Sequence, residues 1–249
     1  KPLIEGINQP RFEPVREAFA SLWNEIEVGA GLSVFLGDEL VVDLWGGHTN
    51  RDRTALWQRD TLVNTYSISK GLVSLALACL VDEGKLDYDK PVADYWRQFG
   101  AERKFGITVA QALSHQAGVY TFHPAMEPAD LYNWQKAAFN VASQVPTWKP
   151  GTAFGYHSIT WGYIAGELIL QTTRKTTGDY LRSRITNQLE ADFHIGLTGA
   201  EQKRCAEVIG PNHARPPVTK MPPPEKNTLP KNDPTLPPYR VVSSADWRR

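Results

Sequence analysis

The chain has 249 residues, enough for one large or two small domains with a hydrophobic core of ordinary size. Hydrophobic residues make up 41% of the sequence and charged residues 22%, which is typical of globular proteins and excludes disordered or collagen-like classes. The 27 basic residues balance 27 acidic ones, so the charge gives no support for nucleic acid as a partner.

The sequence lacks the features of a disulfide-rich secreted protein or of a membrane-spanning one. Its two cysteines are Cys79 and Cys205, and Cys79 lies in an apolar run typical of a buried helix face, so no disulfide framework is expected. That run has about ten residues, well short of the roughly 20 that cross a bilayer as a helix. No signal segment opens the chain, from which we expect a cytoplasmic protein with no membrane span.

The first elements in chain order are a helix and a β-hairpin. Residues 13–28 predict an amphipathic helix, because apolar side chains recur at the three- and four-residue spacing of one helical face. Two β-rich runs follow at 31–36 and 40–45, and the glycine and aspartate between them favour a turn. We therefore assign residues 1–66 to the N-terminal part of an α/β domain.

The middle of the chain is predicted to be mostly helical. Residues 67–83 have the apolar pattern of a buried helix that begins at Ser67 and ends before Gly84. Further helical patterns follow, separated by loops that contain proline or glycine: 109–114, 128–143, 158–172 and 178–189. Residues 67–200 are accordingly assigned to a helical domain.

The last part of the chain changes character. Many prolines fall between residues 211 and 238, with little apolar periodicity, which excludes a regular helix or a central strand there. Such a run is typical of an irregular surface loop or linker. Residues 201–249 as a whole are predicted to form a Pro-rich irregular segment.

The sequence Ser-Ile-Ser-Lys at 67–70 is the first candidate for chemistry. Residues three apart share a helical face, so the Lys70 ammonium can reach the Ser67 hydroxyl. A serine becomes a good nucleophile when a nearby base takes its proton, and a lysine with a lowered pKa can be that base. The alternative is a capping serine followed by a surface lysine, and the motif alone does not decide between them.

A second candidate, Tyr156, follows a Pro-Gly turn. Residues 154–156 predict a short extended stretch before the next helix, whose N-cap is expected to be Ser158. A tyrosine near Lys70 can act as an anionic base, or it can relay the serine proton to the leaving group. The alternative is an aromatic side chain that only packs against its neighbours.

Three segments in this order carry a family resemblance. They are Tyr-Ser-Ile-Ser-Lys-Gly-Leu at 66–72, Thr-Val-Ala-Gln-Ala-Leu-Ser-His-Gln-Ala-Gly-Val at 108–119 and Trp-Lys-Pro-Gly-Thr-Ala-Phe-Gly-Tyr-His-Ser at 148–158. Together they resemble class C β-lactamases, D-alanyl-D-alanine peptidases and, most closely in motif, family VIII carboxylesterases. The resemblance implies an α/β (α+β) fold of the β-lactamase/transpeptidase type, with an antiparallel sheet flanked by helices, a mostly helical domain, and an active site in the groove between them.

The resemblance also implies roles for individual residues. Ser67 matches the acylated nucleophile, Lys70 its base and Tyr156 the tyrosine of the family's Tyr-x-Asn motif. The chain departs from that motif because a serine replaces the asparagine, a change that esterases of the group tolerate. Further substrate contacts are expected from three residues: Trp148, His157 and Ser158.

The family's late Lys-Thr-Gly motif has no counterpart in a matching position. The Lys-Thr-Thr-Gly run at 175–178 lies in a polar link between two predicted helices, so we interpret it as a chance similarity. In the family, the remaining strands, the final helix and the second oxyanion N–H normally follow the helical domain. A sheet built from the first hairpin alone has long open edges, so we expect completion by a C-terminal segment of the same polypeptide or by a second chain.

These patterns predict a serine hydrolase that cleaves small-molecule carboxylic esters through a Ser67 acyl-enzyme, with no cofactor. No histidine has a metal-ligand spacing to Cys or Glu, so no metal is expected. His115 and His157 are interpreted as satisfied loop or core histidines, with a place in the groove as the alternative. Two other functions stay open: a β-lactamase or D-alanyl-D-alanine peptidase, and a non-catalytic binding or scaffold protein of the same fold.

Overall fold

The structure, a computed structural model, describes residues 3–24 and 27–209. These residues form two compact units. The first combines residues 3–24 and 27–64 with 197–209, and the second spans 65–196. Within the described ranges, no helix has both the length and the apolar character needed to cross a bilayer.

A three-stranded antiparallel sheet forms the centre of the first unit. Its strands are β1 (Ile4–Asn8), β2 (Gly29–Leu36) and β3 (Glu39–Gly47), in the spatial order β1-β3-β2. Strands β2 and β3 make the expected hairpin, in which Gly37 has a φ of +61° that suits glycine in a tight turn. Strand β1 has no counterpart in the sequence prediction and forms by pairing with β3, with Ile4 opposite Gly46.

Helix α1 (Glu13–Ser21) packs with the sheet to form the core of the first unit. The buried side chains of this core are Phe19, Trp23, Val41, Val42 and Leu44. Phe19 and Trp23 meet edge to face with ring centroids 5.4 Å apart, which is a favourable arrangement for two aromatic rings. The helix ends at Ser21 rather than at residue 28, because the 3₁₀ turn Leu22–Asn24 tightens the chain before β2.

The chain returns to the first unit after residue 197. A short helix, α8 (Gly199–Gln202), begins with a capping box, and the Leu62 N–H then donates to the Arg204 carbonyl while the Leu62 carbonyl accepts the Ala206 N–H. These bonds order a stretch that the sequence assigned to an irregular segment starting at residue 201. The rest of that predicted Pro-rich segment lies outside the described residues.

The second unit is mostly helical, as the sequence predicts. Its α-helices in chain order are α2 (Ser69–Asp82), α3 (Val92–Tyr95), α4 (Val109–Leu113), α5 (Trp134–Ser143), α6 (Thr160–Thr173) and α7 (Thr177–Leu181). Shorter helical turns lie at Tyr66–Ile68, Arg97–Gly100, Pro128–Tyr132 and Arg182–Thr186. Helix α6 is buried along most of its length and packs against α2, α4, α5 and α7, so it is the central element of this unit.

Two helix boundaries differ from the prediction for local reasons. The helix expected over 128–143 is divided at Asn133, whose side chain accepts the Lys136 N–H and caps α5. Helix α6 begins after Ile159, which makes no side-chain capping bond, so Ser158 is not its N-cap. Ser158 therefore lies in the turn that precedes α6.

The Lys-Thr-Thr-Gly run at 175–178 has a structural use between α6 and α7. The Thr176 hydroxyl accepts the Asp179 N–H and caps α7. Gly178 lies so close to the Ile195 main chain that a Cβ would be 2.0 Å from the Ile195 oxygen. Capping and close packing thus account for the threonine and the glycine of this run.

Candidate active site

Ser67 lies in a strained turn at the start of α2. It is the central residue of the 3₁₀ helix Tyr66–Ile68, and α2 begins directly after that turn. Tyr66 has a φ of +47°, a left-handed conformation that costs free energy for a residue with a bulky side chain. The Ser69 hydroxyl donates to the Tyr66 carbonyl and closes the turn, while the Ser67 side chain is exposed. The turn thus presents the Ser67 hydroxyl at the N-terminal end of α2.

Lys70 lies in the first turn of α2, on the same side as Ser67. Its Nζ donates to Ser67 Oγ at 3.2 Å and to the Ser158 carbonyl at 2.8 Å. The amine also lies 5.1 Å from the ring centroid of Tyr156 and 5.9 Å from that of Trp161. Two oxygens and two aromatic rings therefore fix the position of the half-buried ammonium.

Tyr156, 89 positions after Ser67 in the sequence, reaches the same hydroxyl. Its phenol donates to Ser67 Oγ at 2.8 Å. Burial alone would raise the pKa of this phenol, but hydrogen bonds to Ser67 and Lys70, together with the charge of Lys70, lower it below its ordinary value. The structure thus brings together the three residues for which the sequence suggested chemistry.

The Ser67 oxygen has two neighbours that can each give or take a proton. When Lys70 is charged and Tyr156 is neutral, both donate to Ser67 Oγ, and neither can accept the serine proton. When this pair loses one proton, a neutral amine or a phenolate becomes available as the acceptor. The pair can therefore act first as a base towards Ser67 and then as an acid towards a leaving group.

A short segment without regular secondary structure, residues 154–157, carries the phenol and is supported by Trp148. Gly155 is buried, and a Cβ at this position would lie 2.5 Å from the Trp148 ring. The Trp148 Nε1–H donates to the Gln116 carbonyl at 3.2 Å, which fixes the indole in this position. Because only glycine leaves room for the indole, the half-buried Trp148 packs directly on the main chain next to the tyrosine.

His157 is fully buried at the end of this segment. Its Nδ1–H donates to the Gly155 carbonyl at 2.6 Å, and its Nε2 accepts the Val119 N–H at 3.2 Å. Burial lowers the pKa of this imidazole to about 4, against the opposing hydrogen bond to Gly155 and with a smaller contribution from His115. Main-chain groups occupy both ring nitrogens, so His157 bridges two segments of the protein and leaves no ring nitrogen for the substrate contact expected from the sequence.

His115 belongs to the site although the sequence suggested no catalytic role for it. It follows α4 with a φ of +65°, and its ring centroid lies 4.8 Å from that of Tyr156. Its Nδ1 accepts the His157 N–H at 3.1 Å, a bond that joins residues 42 positions apart. The motif around His115 was visible in the sequence, but a contact over this separation leaves no signal in a local pattern.

Ser158 enters the site through its main chain. Its carbonyl accepts a hydrogen bond from the Lys70 ammonium, and its N–H donates one to the Tyr156 carbonyl at 3.0 Å. The Ser158 side chain is half-buried. Its position links the segment that carries the phenol to the amine that faces Ser67.

Comparison with known proteins identifies a family and several relatives that are similar to this chain. The family model described as Beta-lactamase matches residues 15–246. Esterase/beta-lactamase LipL of Mycobacterium tuberculosis is 34% identical over 211 residues, which cover 84% of this chain and 49% of LipL. The chain thus spans about half the length of this curated relative.

Two crystal structures have a similar fold. That of a family VIII carboxylesterase is 42% identical with a TM-score of 0.78, and the match covers 83% of this chain and 57% of that one. That of a penicillin-binding protein homologue from Caulobacter crescentus is 34% identical with a TM-score of 0.82, and the match covers 99% of this chain and 62% of that one. With this β-lactamase/transpeptidase-like fold and a family match over most of its length, the chain belongs to the beta-lactamase family.

Proposed function

We propose that the chain carries the catalytic centre of a serine hydrolase that cleaves small-molecule carboxylic esters. In this proposal Ser67 is the nucleophile, Lys70 its base and Tyr156 the proton relay. The observation that carries it is the convergence of two titratable groups on one hydroxyl, with the Lys70 amine at 3.2 Å and the Tyr156 phenol at 2.8 Å from Ser67 Oγ. A nucleophile within hydrogen-bond reach of a base is the arrangement that covalent catalysis requires.

Acylation begins when the Ser67 proton moves to the deprotonated member of the Lys70–Tyr156 pair. As the proton leaves, Oγ bonds to the carbonyl carbon of the ester, and the carbonyl electron pair moves to its oxygen. The Ser67 N–H and the N-terminal end of α2 favour negative charge at that position. The bond to the alcohol oxygen then breaks, Tyr156 donates its proton to the leaving alkoxide, and Lys70 restores the tyrosine proton.

Deacylation repeats these steps with water in place of the alcohol. The pair takes a proton from water as the water oxygen attacks the acyl carbon. Collapse of the second tetrahedral intermediate breaks the bond to Ser67 Oγ, which regains its proton from the pair. One water is consumed for each acid and alcohol released, and no cofactor takes part.

Two observations favour an ester over an amide as the substrate. Ser158 offers a hydroxyl where the related lactamases and peptidases have an asparagine amide, which would hold a substrate amide differently. The family VIII carboxylesterase, at 42% identity, is named for ester hydrolysis. We assign further contacts with the ester to Ser158 and to the accessible part of Trp148.

The nucleophile can be tested with two serine variants of the same turn. Ser67→Ala removes the proposed nucleophile, whereas Ser69→Ala removes a hydroxyl that donates to the Tyr66 carbonyl and serves as the matched control. A fluorophosphonate probe should add its mass to the wild type and to Ser69→Ala but not to Ser67→Ala. Hydrolysis of nitrophenyl butyrate should fall by about 10³-fold or more in Ser67→Ala. A Ser67→Ala protein with the wild-type rate would refute the assignment.

The name of LipL, an esterase/beta-lactamase, supports β-lactam hydrolysis as a second candidate activity of the same serine. Many turnovers of a chromogenic cephalosporin per enzyme molecule would favour a lactamase. A single equivalent of product would indicate slow acylation and would favour the esterase. If neither the cephalosporin nor the fluorophosphonate reacts, the protein is a non-catalytic binding or scaffold protein of this fold.

We also propose that the centre is completed by a C-terminal segment of the same polypeptide or by a second chain. The match covers only 49% of LipL. Among the strands that the structure describes, β1 and β2 are edge strands, and unpaired edges are a liability that proteins cover. If the active sample contains only a 27.9 kDa species by intact mass and is a monomer in solution, completion is excluded.

A further inference from the structure

His115 is bonded to two main-chain N–H groups beside Tyr156, those of Gly155 and His157. Its carbonyl accepts the Gly155 N–H at 3.2 Å, and its Nδ1 accepts the His157 N–H at 3.1 Å. One residue thus fixes the main chain immediately before and after the tyrosine. Because each peptide group is planar, fixing the one between Tyr156 and His157 restricts the direction in which the phenol leaves the main chain.

The imidazole also contacts the aromatic rings of the segment. Its centroid lies 4.8 Å from that of Tyr156 and 5.8 Å from that of Phe154. His115 therefore packs against the aromatic side chains on both sides of Gly155. The Tyr156 ring thus contacts both the imidazole and the Lys70 ammonium, which is 5.1 Å from its centroid.

We propose that His115 is a positioning residue whose neutral imidazole, protonated on Nε2, holds the Tyr156 phenol against Ser67. The inference rests on the proposed function, because His115 acts only through Tyr156. The tautomer follows from the hydrogen bond, since a nitrogen that accepts the His157 N–H cannot carry a proton itself. A histidine that the sequence placed in a loop thereby becomes part of the proton relay's support.

A charged His115 is incompatible with this arrangement. A protonated Nδ1 is a donor, and it would face another donor, the His157 N–H. The titratable groups that face the imidazole are Lys70 from α2, and Tyr156 and His157 from the segment 154–157. Burial, and then the Lys70 charge, lower the pKa of His115 below its ordinary value, so the ring is neutral at pH 7.

Two substitutions at this position separate the acceptor from the rest of the side chain. His115→Asn keeps an acceptor, Oδ1, at the place of Nδ1, and asparagine tolerates the φ of +65°. His115→Ala removes the acceptor and the ring together. A role that depends on the acceptor predicts that asparagine restores most of the activity that alanine loses.

The kinetic test uses nitrophenyl butyrate and the full chain. We expect His115→Ala to lower kcat by about 10²-fold with less than about a threefold change in KM, because a catalytic group displaced by roughly 1 Å loses about that much rate. His115→Asn should stay within about fivefold of the wild type. Wild-type kcat in His115→Ala overturns the inference.

Tyr156→Phe shows whether His115 acts through the phenol. In that background His115→Ala should cause no further loss of kcat, because the group that it positions is absent. A full additional loss overturns the inference and leaves the proposed function intact. Wild-type activity of Tyr156→Phe alone refutes the relay in the proposed function, and the inference with it.

The acid side of the pH profile gives a test that does not depend on the alanine variant folding. Below the pKa of His115, log(kcat/KM) of the wild type should fall with one extra unit of slope per pH unit, because one more proton inactivates the free enzyme. His115→Asn lacks this ionisation and should lack the extra slope. Identical acid limbs in the two proteins overturn the inference.

Discussion

Replacing the buried Lys104 with methionine should make the stability of the protein less dependent on pH in the alkaline range. The Lys104 side chain is 0% exposed, its Nζ donates to the Gln144 carbonyl, and it lies 5.7 Å from the Phe99 ring centroid. Burial lowers the pKa of the amine from 10.5 to about 8, against the opposing charge of Glu102. Methionine has a similar length and no charge, so Lys104→Met removes the titration with little change in volume.

The two pKa values give the size of the effect. Between pH 8 and pH 10.5 the amine is protonated in the unfolded chain and mostly neutral in the native protein. The unfolded state then binds more protons, so the free energy of unfolding rises with pH through this window. At about 1.4 kcal/mol per pKa unit, the gain is about 3 kcal/mol, most of it between pH 7 and pH 10.

Urea unfolding at pH 7, 8, 9 and 10, followed by tryptophan fluorescence, measures the effect. The control is Lys90→Met, which removes a positive charge from an exposed position. The free energy of unfolding of the wild type should rise by about 2 to 3 kcal/mol relative to Lys104→Met and stay parallel to that of Lys90→Met. A constant difference between the wild type and Lys104→Met would show that this amine titrates near its ordinary pKa, which would refute the reasoning.

Two further predictions concern His157 and the helix glycines. The pKa of His157 falls from 6.5 to about 4, so the stability that the neutral ring provides above pH 6.5 is lost as the pH falls towards 4, by about 3 kcal/mol. Urea unfolding at pH 7 and pH 4.5 should show a smaller loss in His157→Gln, and equal losses would contradict this. A Cβ at position 162 in α6 would have no atom within 4 Å. Gly162→Ala should therefore raise the free energy of unfolding by about 0.5 to 1 kcal/mol. At position 178 a Cβ would lie 2.0 Å from the Ile195 oxygen, so Gly178→Ala should lower the free energy of unfolding by more than about 2 kcal/mol. Equal melting temperatures of the two glycine variants would contradict this prediction.

The local features of the site and of the fold could be predicted from the sequence because short-range rules determine them. Three-residue spacing places Lys70 beside Ser67 in the first turn of α2. Gly84, with a φ of +68°, ends the same helix where its pattern stops. Gly37 likewise marks the turn between β2 and β3.

The remaining parts depend on contacts between distant residues, which a sequence window does not contain. Strand β1 includes Gly6, where a Cβ would lie 1.9 Å from the Asp43 oxygen, so its partner strand determines the conformation. His157 looked like a substrate contact because of its neighbours in the sequence, whereas its ring bonds to Val119 and Gly155. The placement of Tyr156 was expected from family resemblance, since no local rule connects residues 89 positions apart.

The electrostatics of the site explain why its two histidines must be neutral. Their lowered pKa values leave Lys70 as the positive charge that lowers the pKa of the Tyr156 phenol. Added cations at His115 and His157 would lower that pKa further, and the phenolate would then be a weaker base towards the Ser67 proton. Burial, the main cause of the lowered pKa of both imidazoles, thus leaves Ser67 and Lys70 as the groups that lower the pKa of Tyr156.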